Sequence, residues 1–375
     1  MLGNMENEHR ESEGAAGIEI TRVGNVEPRS VFFVGKRAVV TGGAGFLGRA
    51  IAEKLGQLGC GEVEVPRRAA WDLSRREQVL RLLRKARPDL ILHLAGWGEC
   101  AARGAGAADR FYNSVLMTTE LIEAACREQV SKMVCLGSIG IYPAGAPVPL
   151  RERDLFGGLP EASHAVQGMA RRLALVQAQA YRQQYGFRCI FLIAANTYGP
   201  GDNFDVGTGR VIPALIRKFV EAAETGATEV TVGGTGSPTR DFLHVEDCAE
   251  GILQALERYD GTEAVNLGSG REVGIHELAR SIARLTGYAG RILWDASYPD
   301  GPMRHVLDTG RAQKEFGFRP RVKLQDGLRE TIEWYRATRA RSDAPEQSRA
   351  LATSAGASKG AEGVQASRDS PGDAG

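Results

Sequence analysis

The sequence predicts an α/β fold of the Rossmann type, a doubly wound parallel sheet carrying a smaller C-terminal α/β substrate lobe. Three observations predict it. Short apolar, β-branched runs alternate with amphipathic stretches from residue 37 onward, the first run leads straight into a glycine-rich turn, and that turn opens into a helical pattern. With 375 residues, 43% of them apolar, the chain can fill a sizeable core. Its 47 basic and 46 acidic residues leave a formal charge of +1, so no global pull towards nucleic acid or an anionic membrane is implied. Cysteines at positions 60, 100, 126, 135, 189 and 248 show no CxxC spacing and no pairing with clustered histidines. A reduced, cytoplasmic protein without a metal site is expected. No apolar run approaches the roughly 20 residues that span a bilayer, so no membrane partner is expected.

Taken in order, strands are predicted at 37–41, 62–65, 90–94, 132–136 and 188–195, with helices at 48–58, 75–86, 111–128 and 169–185 between them. Beyond residue 196 the pattern loosens into loops, a helix at 211–225 and a strand at 229–232. Residues 34–195 are therefore assigned to a dinucleotide-binding core and 196–339 mainly to a substrate-binding lobe. Residues 1–33 lack a sustained period and 340–375 are rich in Ala, Ser, Gly and charge. Both ends are expected to be disordered.

The first turn carries Gly42, Gly45 and Gly48 in GxxGxxG spacing. Gly42 suits a tight turn, Gly45 a close backbone approach to pyrophosphate, and Gly48 the packing of helix on strand. With Gly43, Ala44, Phe46 and Leu47 they form a cradle, to which the helix N-terminus adds free N–H groups and a positive dipole end. The pair Arg67-Arg68 after the second strand favours a 2′-phosphate, hence NADP, while Glu64 keeps NAD open. Asp72 and Leu73 are expected at the adenine edge, and the run from Leu94 through Ala95 to Gly96 beneath the cofactor.

Four runs extend this reading: 41–48 (TGGAGFLG), 136–143 (LGSIGIYP), 196–204 (NTYGPGDNF) and 240–247 (RDFLHVED). Together they make residues 36–335 resemble the extended short-chain dehydrogenase/reductases of the NAD-dependent epimerase/dehydratase family, and within them the GDP-fucose synthases. The resemblance implies NADPH-dependent epimerisation and reduction of a GDP-sugar by a Ser, a Tyr-x-x-x-Lys pair, a Cys and a His. Ser138 matches the serine. The tyrosine position falls on Gln167, the lysine on Arg171, the cysteine on Gly140 and the histidine on Arg210. Gln cannot ionise, Arg171 keeps a charge able to hold a nicotinamide ribose but has a different shape, and neither Gly140 nor Arg210 transfers protons at neutral pH.

The same resemblance implies diphosphate contacts from Lys218, Arg240 and Arg304, with Arg210 as an added one. Asn196 is implied as a contact to cofactor and sugar, and a homodimer is implied through the helices near Phe111 and Met169. Leu173, Leu175 and Val176 suit either that interface or the core. The tryptophan beside the sugar falls at Gly233. His164 reads as a solvent-facing loop residue, and Tyr142 and Tyr198 as loop packing. The expected function is an NADP(H)-binding nucleotide-sugar epimerase/reductase with altered chemistry; the alternative is an inactive relative that binds cofactor or nucleotide-sugar as a regulatory or heteromeric partner.

Overall fold

The computed structural model describes residues 31–96, 106–205 and 210–357. The chain runs through β1 (Arg37–Thr41), α1 (Phe46–Gln57), β2 (Glu62–Glu64), α2 (Arg76–Ala86), β3 (Leu90–His93), α3 (Ala107–Arg127), β4 (Lys132–Ser138), α4 (Ala165–Tyr185) and β5 (Cys189–Ala194). It continues with β6 (Asn196–Tyr198), α5 (Val211–Thr225), β7 (Glu229–Gly233), β8 (Thr239–Arg240), β9 (Phe242–His244), α6 (Val245–Arg258) and β10 (Val265–Leu267). Last come β11 (Val273–Gly274), α7 (Ile275–Thr286), β12 (Arg291–Asp295), β13 (Arg304–His305), α8 (Gly310–Phe316) and α9 (Leu324–Ala357).

Val39, Val40, Ile91, Leu92, Met133 and Val134 are wholly buried. Strands apolar on both faces need cover on both faces, which crossover helices supply. Among the described residues the main sheet has the parallel order β10-β5-β4-β3-β1-β2. The order reverses between β1 and β3, and such a switch point leaves a crevice outside the strand ends where ligands bind.

A second core forms around Ile216, Phe219, Leu278, Ile282, Leu328 and Ile332. It lies among α5, α7 and α9, with β12 paired to β7 and β9 to β6. The two cores are not consecutive segments of the chain. β10 pairs with β5, and Cys248, Ile252 and Leu256 of α6 are buried in the main core. Burial of those apolar residues draws the chain back to the sheet after it has begun the second lobe.

The termini also differ from expectation. Residues 31–33 form a 3₁₀ turn with Phe33 buried in the main core, so the packed chain begins before residue 34; positions 1–30 lie outside the described residues. α9 continues through residue 340 to Ala357. Positions 358–375, and Cys100, lie outside the described residues. Among the described residues no helix is long and apolar enough to cross a membrane.

The turn after β1 works through two close approaches. Gly42 has φ +75°, and a Cβ there would lie 2.8 Å from the Ala95 nitrogen. A Cβ on Gly48 would lie 2.2 Å from the Gly42 carbonyl oxygen. Gly48→Ala must therefore push α1 away from β1. We expect it to lower stability by about 1–3 kcal/mol, read as a reduced urea midpoint at unchanged m-value.

Candidate active site and cofactor cleft

At the switch point the strand ends open into a cleft of about 610 Å³. Gly42, Ala44, Gly45, Arg67, Arg68, Asp72, Leu73 and Ala95 all line it, so most of the predicted cofactor residues come together in one place. Gly45 sits at the N-cap of α1. Gly43 and Gly48 lie behind the cradle, where a Cβ on Gly43 would meet the Val65 side chain at 2.8 Å. Leu47 is partly buried against the main core, and Phe46 carries the Arg210 guanidinium 5.4 Å above its ring. Trp71 and Met117 also line the cleft. Trp71 was within reach of sequence reasoning, standing between the basic pair and Asp72; Met117 arrives from α3 and carried no local signal.

Beneath the cleft, His93 is fully buried between Thr41 Oγ1, 2.8 Å from Nδ1, and Thr118 Oγ1, 3.0 Å from Nε2. Burial, reinforced by the Arg171 charge, draws its pKa down to about 3, so it stays neutral and tethers β1, β3 and α3. Arg171 Nη2 donates to the Ala95 carbonyl at 2.7 Å, and a Cβ on Gly96 would lie 2.3 Å from that same nitrogen. Its Nη1 is buried without a protein partner, a donor behind the Ala95 and Gly96 that line the cleft. Gln167 lies one turn earlier on α4 and presents no ionisable group.

Ser138 is exposed at the end of β4, and Gly140 lies two residues on in a short 3₁₀ turn. A Cβ on Gly140 would lie 2.8 Å from Cδ2 of His164. His164 is thus not a solvent-facing loop residue. It is the residue at the N-cap position of α4, its Nδ1 3.1 Å from Ser163 Oγ, and its imidazole lies directly against Gly140. The missing side chain at position 140 leaves room for that ring, and Pro160 packed on Gly168 carries the loop inward. Tyr142 donates to Asn266 Oδ1 at 2.7 Å, and Tyr198 packs edge-on against Phe242 and His244, so both are packing residues.

The predicted diphosphate contacts are already engaged. Arg304 makes a bidentate pair with Glu272, with Nε and Nη2 each at 2.7 Å. Arg240 spends its guanidinium on the carbonyls of Thr239, Asp300 and Pro302. Lys218 donates to the Thr231 carbonyl at 2.9 Å, and Arg210 pairs with buried Asp202 at 2.8 Å. Asn196 Nδ2 donates to the Asp241 carbonyl at 3.0 Å, holding β6 rather than pointing a free amide into the cleft. A Cβ on Gly233 would lie 3.1 Å from the Tyr298 ring, so an exposed aromatic from another segment covers that position. Among the described residues no cluster of three or more His, Cys, Asp or Glu is arranged to hold a metal.

A parallel sheet with a glycine cradle at its switch point and a serine at the end of its fourth strand defines a nucleotide-cofactor α/β protein. Residues 38–268 match the NAD dependent epimerase/dehydratase family, and the chain belongs to that family. It is similar to a probable GDP-L-fucose synthase 1 of Oryza sativa subsp. japonica, 38% identical over 84% of this chain and 96% of that protein. It is also similar to a GDP-L-fucose synthase of Sinorhizobium fredii, 39% identical over 80% of this chain and 95% of that one. Among solved structures, a GDP-mannoheptose C4 reductase from Campylobacter jejuni with NADP bound superposes with a TM-score of 0.74 at 26% identity, covering 81% of this chain and 99% of that one.

The Arg304–Glu272 pair sets a pH dependence. Its hydrogen bonds, from Arg304 first and Thr239 second, draw the Glu272 carboxyl from 4.5 to about 2. A carboxylate depressed in the folded state adds stability that is present above the unfolded value and lost as pH falls through the folded one. The contribution should therefore be full above about pH 4.5 and fade towards pH 2. Acid titration of Glu272→Gln against wild type should show stability curves that converge over that window; curves that stay parallel would show that the pair is not formed in solution.

Proposed function

We propose that this chain is an NADP(H)-dependent protein of the GDP-sugar epimerase/reductase type in which carbonyl reduction is retained in altered form and epimerisation is lost. The observation that carries this reading is the cleft itself: the glycine cradle and the exposed pair Arg67 and Arg68 line one cavity, and Arg171 bonds the carbonyl of Ala95 in its lining. When bound, NADPH supplies hydride. The chain's own residues hold the pyrophosphate on the N-terminus of α1, pair the 2′-phosphate with Arg67 and Arg68, and place Arg171 under the nicotinamide half. GDP-linked substrates are supported by the two GDP-L-fucose synthases and the GDP-mannoheptose reductase among the relatives. Loss of epimerisation follows from Gly140 and Arg210, since the first has no side chain and the second is paired with Asp202. A non-catalytic partner that holds NADP(H) is the second reading, favoured by Gln167 at the position where a proton donor belongs.

Nicotinamide fluorescence titration tests the cofactor assignment. NADPH should bind more tightly than NADH, and the double change Arg67→Ala, Arg68→Ala should remove that preference at a cost of about 1.5–3 kcal/mol, on the order of 10- to 100-fold in Kd. Gly45→Asp should abolish binding by setting a carboxylate against the pyrophosphate. Equal affinity for the two cofactors in the wild type would defeat the NADP assignment.

A homodimer is part of the same proposal. Leu175 is buried, whereas Leu173 and Val176 on α4 and Phe111 and Tyr112 on α3 are exposed. An apolar patch across two packed helices suits a two-fold interface. Light scattering should report a dimer for the wild type and a monomer for Leu173→Glu. Five described cysteines, at 60, 126, 135, 189 and 248, are free thiols, which supports a reducing cytoplasmic setting.

A further inference from the structure

A separate cavity, of about 340 Å³, lies past the end of β4 and is lined by Gly140, Tyr142, Glu161, His164, Arg304 and His305 among others. Two imidazoles therefore meet at the end of β4, one from the start of α4 and one from β13. The His164 ring rests on Gly140. The His305 ring is held by the carbonyl of Ile139, the residue between Ser138 and Gly140. Its backbone is fixed as well, because the Asp241 N–H donates to the His305 carbonyl at 3.0 Å. Neither ring has a role in the cofactor cleft.

We propose that His164, faced by His305 across this cavity, is the proton donor that Gln167 cannot be, so that the site reduces a sugar carbonyl with a histidine. The proposal rests on the NADP(H) and GDP-sugar reading above. In the step it serves, the carbonyl carbon takes a hydride from NADPH and the π electrons pass to oxygen. That oxygen takes the proton from His164, which recovers it from water, and the products are an alcohol and NADP⁺.

The charges around the pair divide the roles. Burial, then Arg240 on β8, then His164 draw the pKa of His305 down to about 4, so His305 is neutral at pH 7. From the other elements Glu161 approaches ahead of α4, while Arg304 on β13 is neutralised by Glu272 and the Tyr142 hydroxyl is spent on Asn266. His305 is a positioning residue: its one N–H is given to the Ile139 carbonyl, and the remaining ring nitrogen, an acceptor, steadies the His164 ring rather than the substrate oxygen.

The test uses the full chain, GDP-4-keto-6-deoxymannose and NADPH, with NADPH oxidation and NADPH affinity measured in parallel. Wild type should oxidise NADPH in the presence of this GDP-sugar. His164→Ala should lose about 100- to 10,000-fold in kcat with NADPH affinity unchanged, and added imidazole should restore part of the rate. His164→Asn, which keeps a polar side chain but no titratable group, should be equally slow without a change in fold. His305→Phe should lower kcat about tenfold or more and leave NADPH affinity intact. Turnover that survives His164→Ala, or a wild type that binds NADPH and the GDP-sugar yet never oxidises the cofactor, would overturn the proton-donor proposal alone. Failure of the wild type to bind NADPH would overturn the functional reading beneath it.

Discussion

The buried carboxylate of Asp241 is the interaction on which the two lobes depend. Its Oδ1 accepts from the Ser269 N–H at 2.8 Å and the Ser269 hydroxyl at 2.6 Å, and its Oδ2 from Gly270 at 3.2 Å and Leu307 at 3.4 Å. Its carbonyl takes both the backbone and the side-chain N–H groups of Asn196, and its own N–H goes to His305. Burial pushes the carboxyl pKa up while these donors oppose the shift. A carboxylate removed from water is tolerable only when so many donors replace its hydration. One residue thus ties these segments together, its carboxylate holding the turn after β10 and Leu307 and its backbone holding β6 and β13.

Within that frame the two halves of the site have changed to different degrees. The cofactor half keeps each close approach that only glycine permits, and Thr41, His93 and Thr118 fix its floor without any mobile charge. At two glycines elsewhere the space a side chain would take is filled by another segment: His164 occupies the room over Gly140, and Tyr298 covers Gly233. The basic residues follow the same logic. Arg210 and Arg304 have acidic partners close at hand, so each is held in a fixed geometry rather than left as a free anion hook.

Much of the main sheet and its glycine turn is legible from local pattern. Alternation of apolar and polar residues is not what reveals it; continuous runs such as residues 37–41 and 189–194 do so, because parallel strands covered on both faces need no polar side. The 3.6-residue period marks α1 to α5 to within a few residues. The helix starts at Ala107 and Ala165 escape that period, because the small residues ahead of the apolar stripe carry none of it. The passage of α6 and β10 back into the main core is not legible, since pairing of β10 with β5 joins residues more than 70 positions apart.

The sequence by itself determined the cofactor cradle, because a turn that admits no Cβ at Gly42 or Gly48 and a basic pair after the second strand are local requirements written in adjacent residues. It also determined that Gln167 cannot carry a proton, which is a property of the side chain alone. Only the tertiary structure decided what fills the space at Gly140, which basic residues are already paired, and that His164 and His305 share a cavity. Those outcomes depend on contacts between separate segments, from the Arg210–Asp202 pair 8 residues apart and the Arg304–Glu272 pair 32 apart to His164 and His305 about 140 apart, and no periodicity along the chain encodes which side chain will arrive at a vacancy.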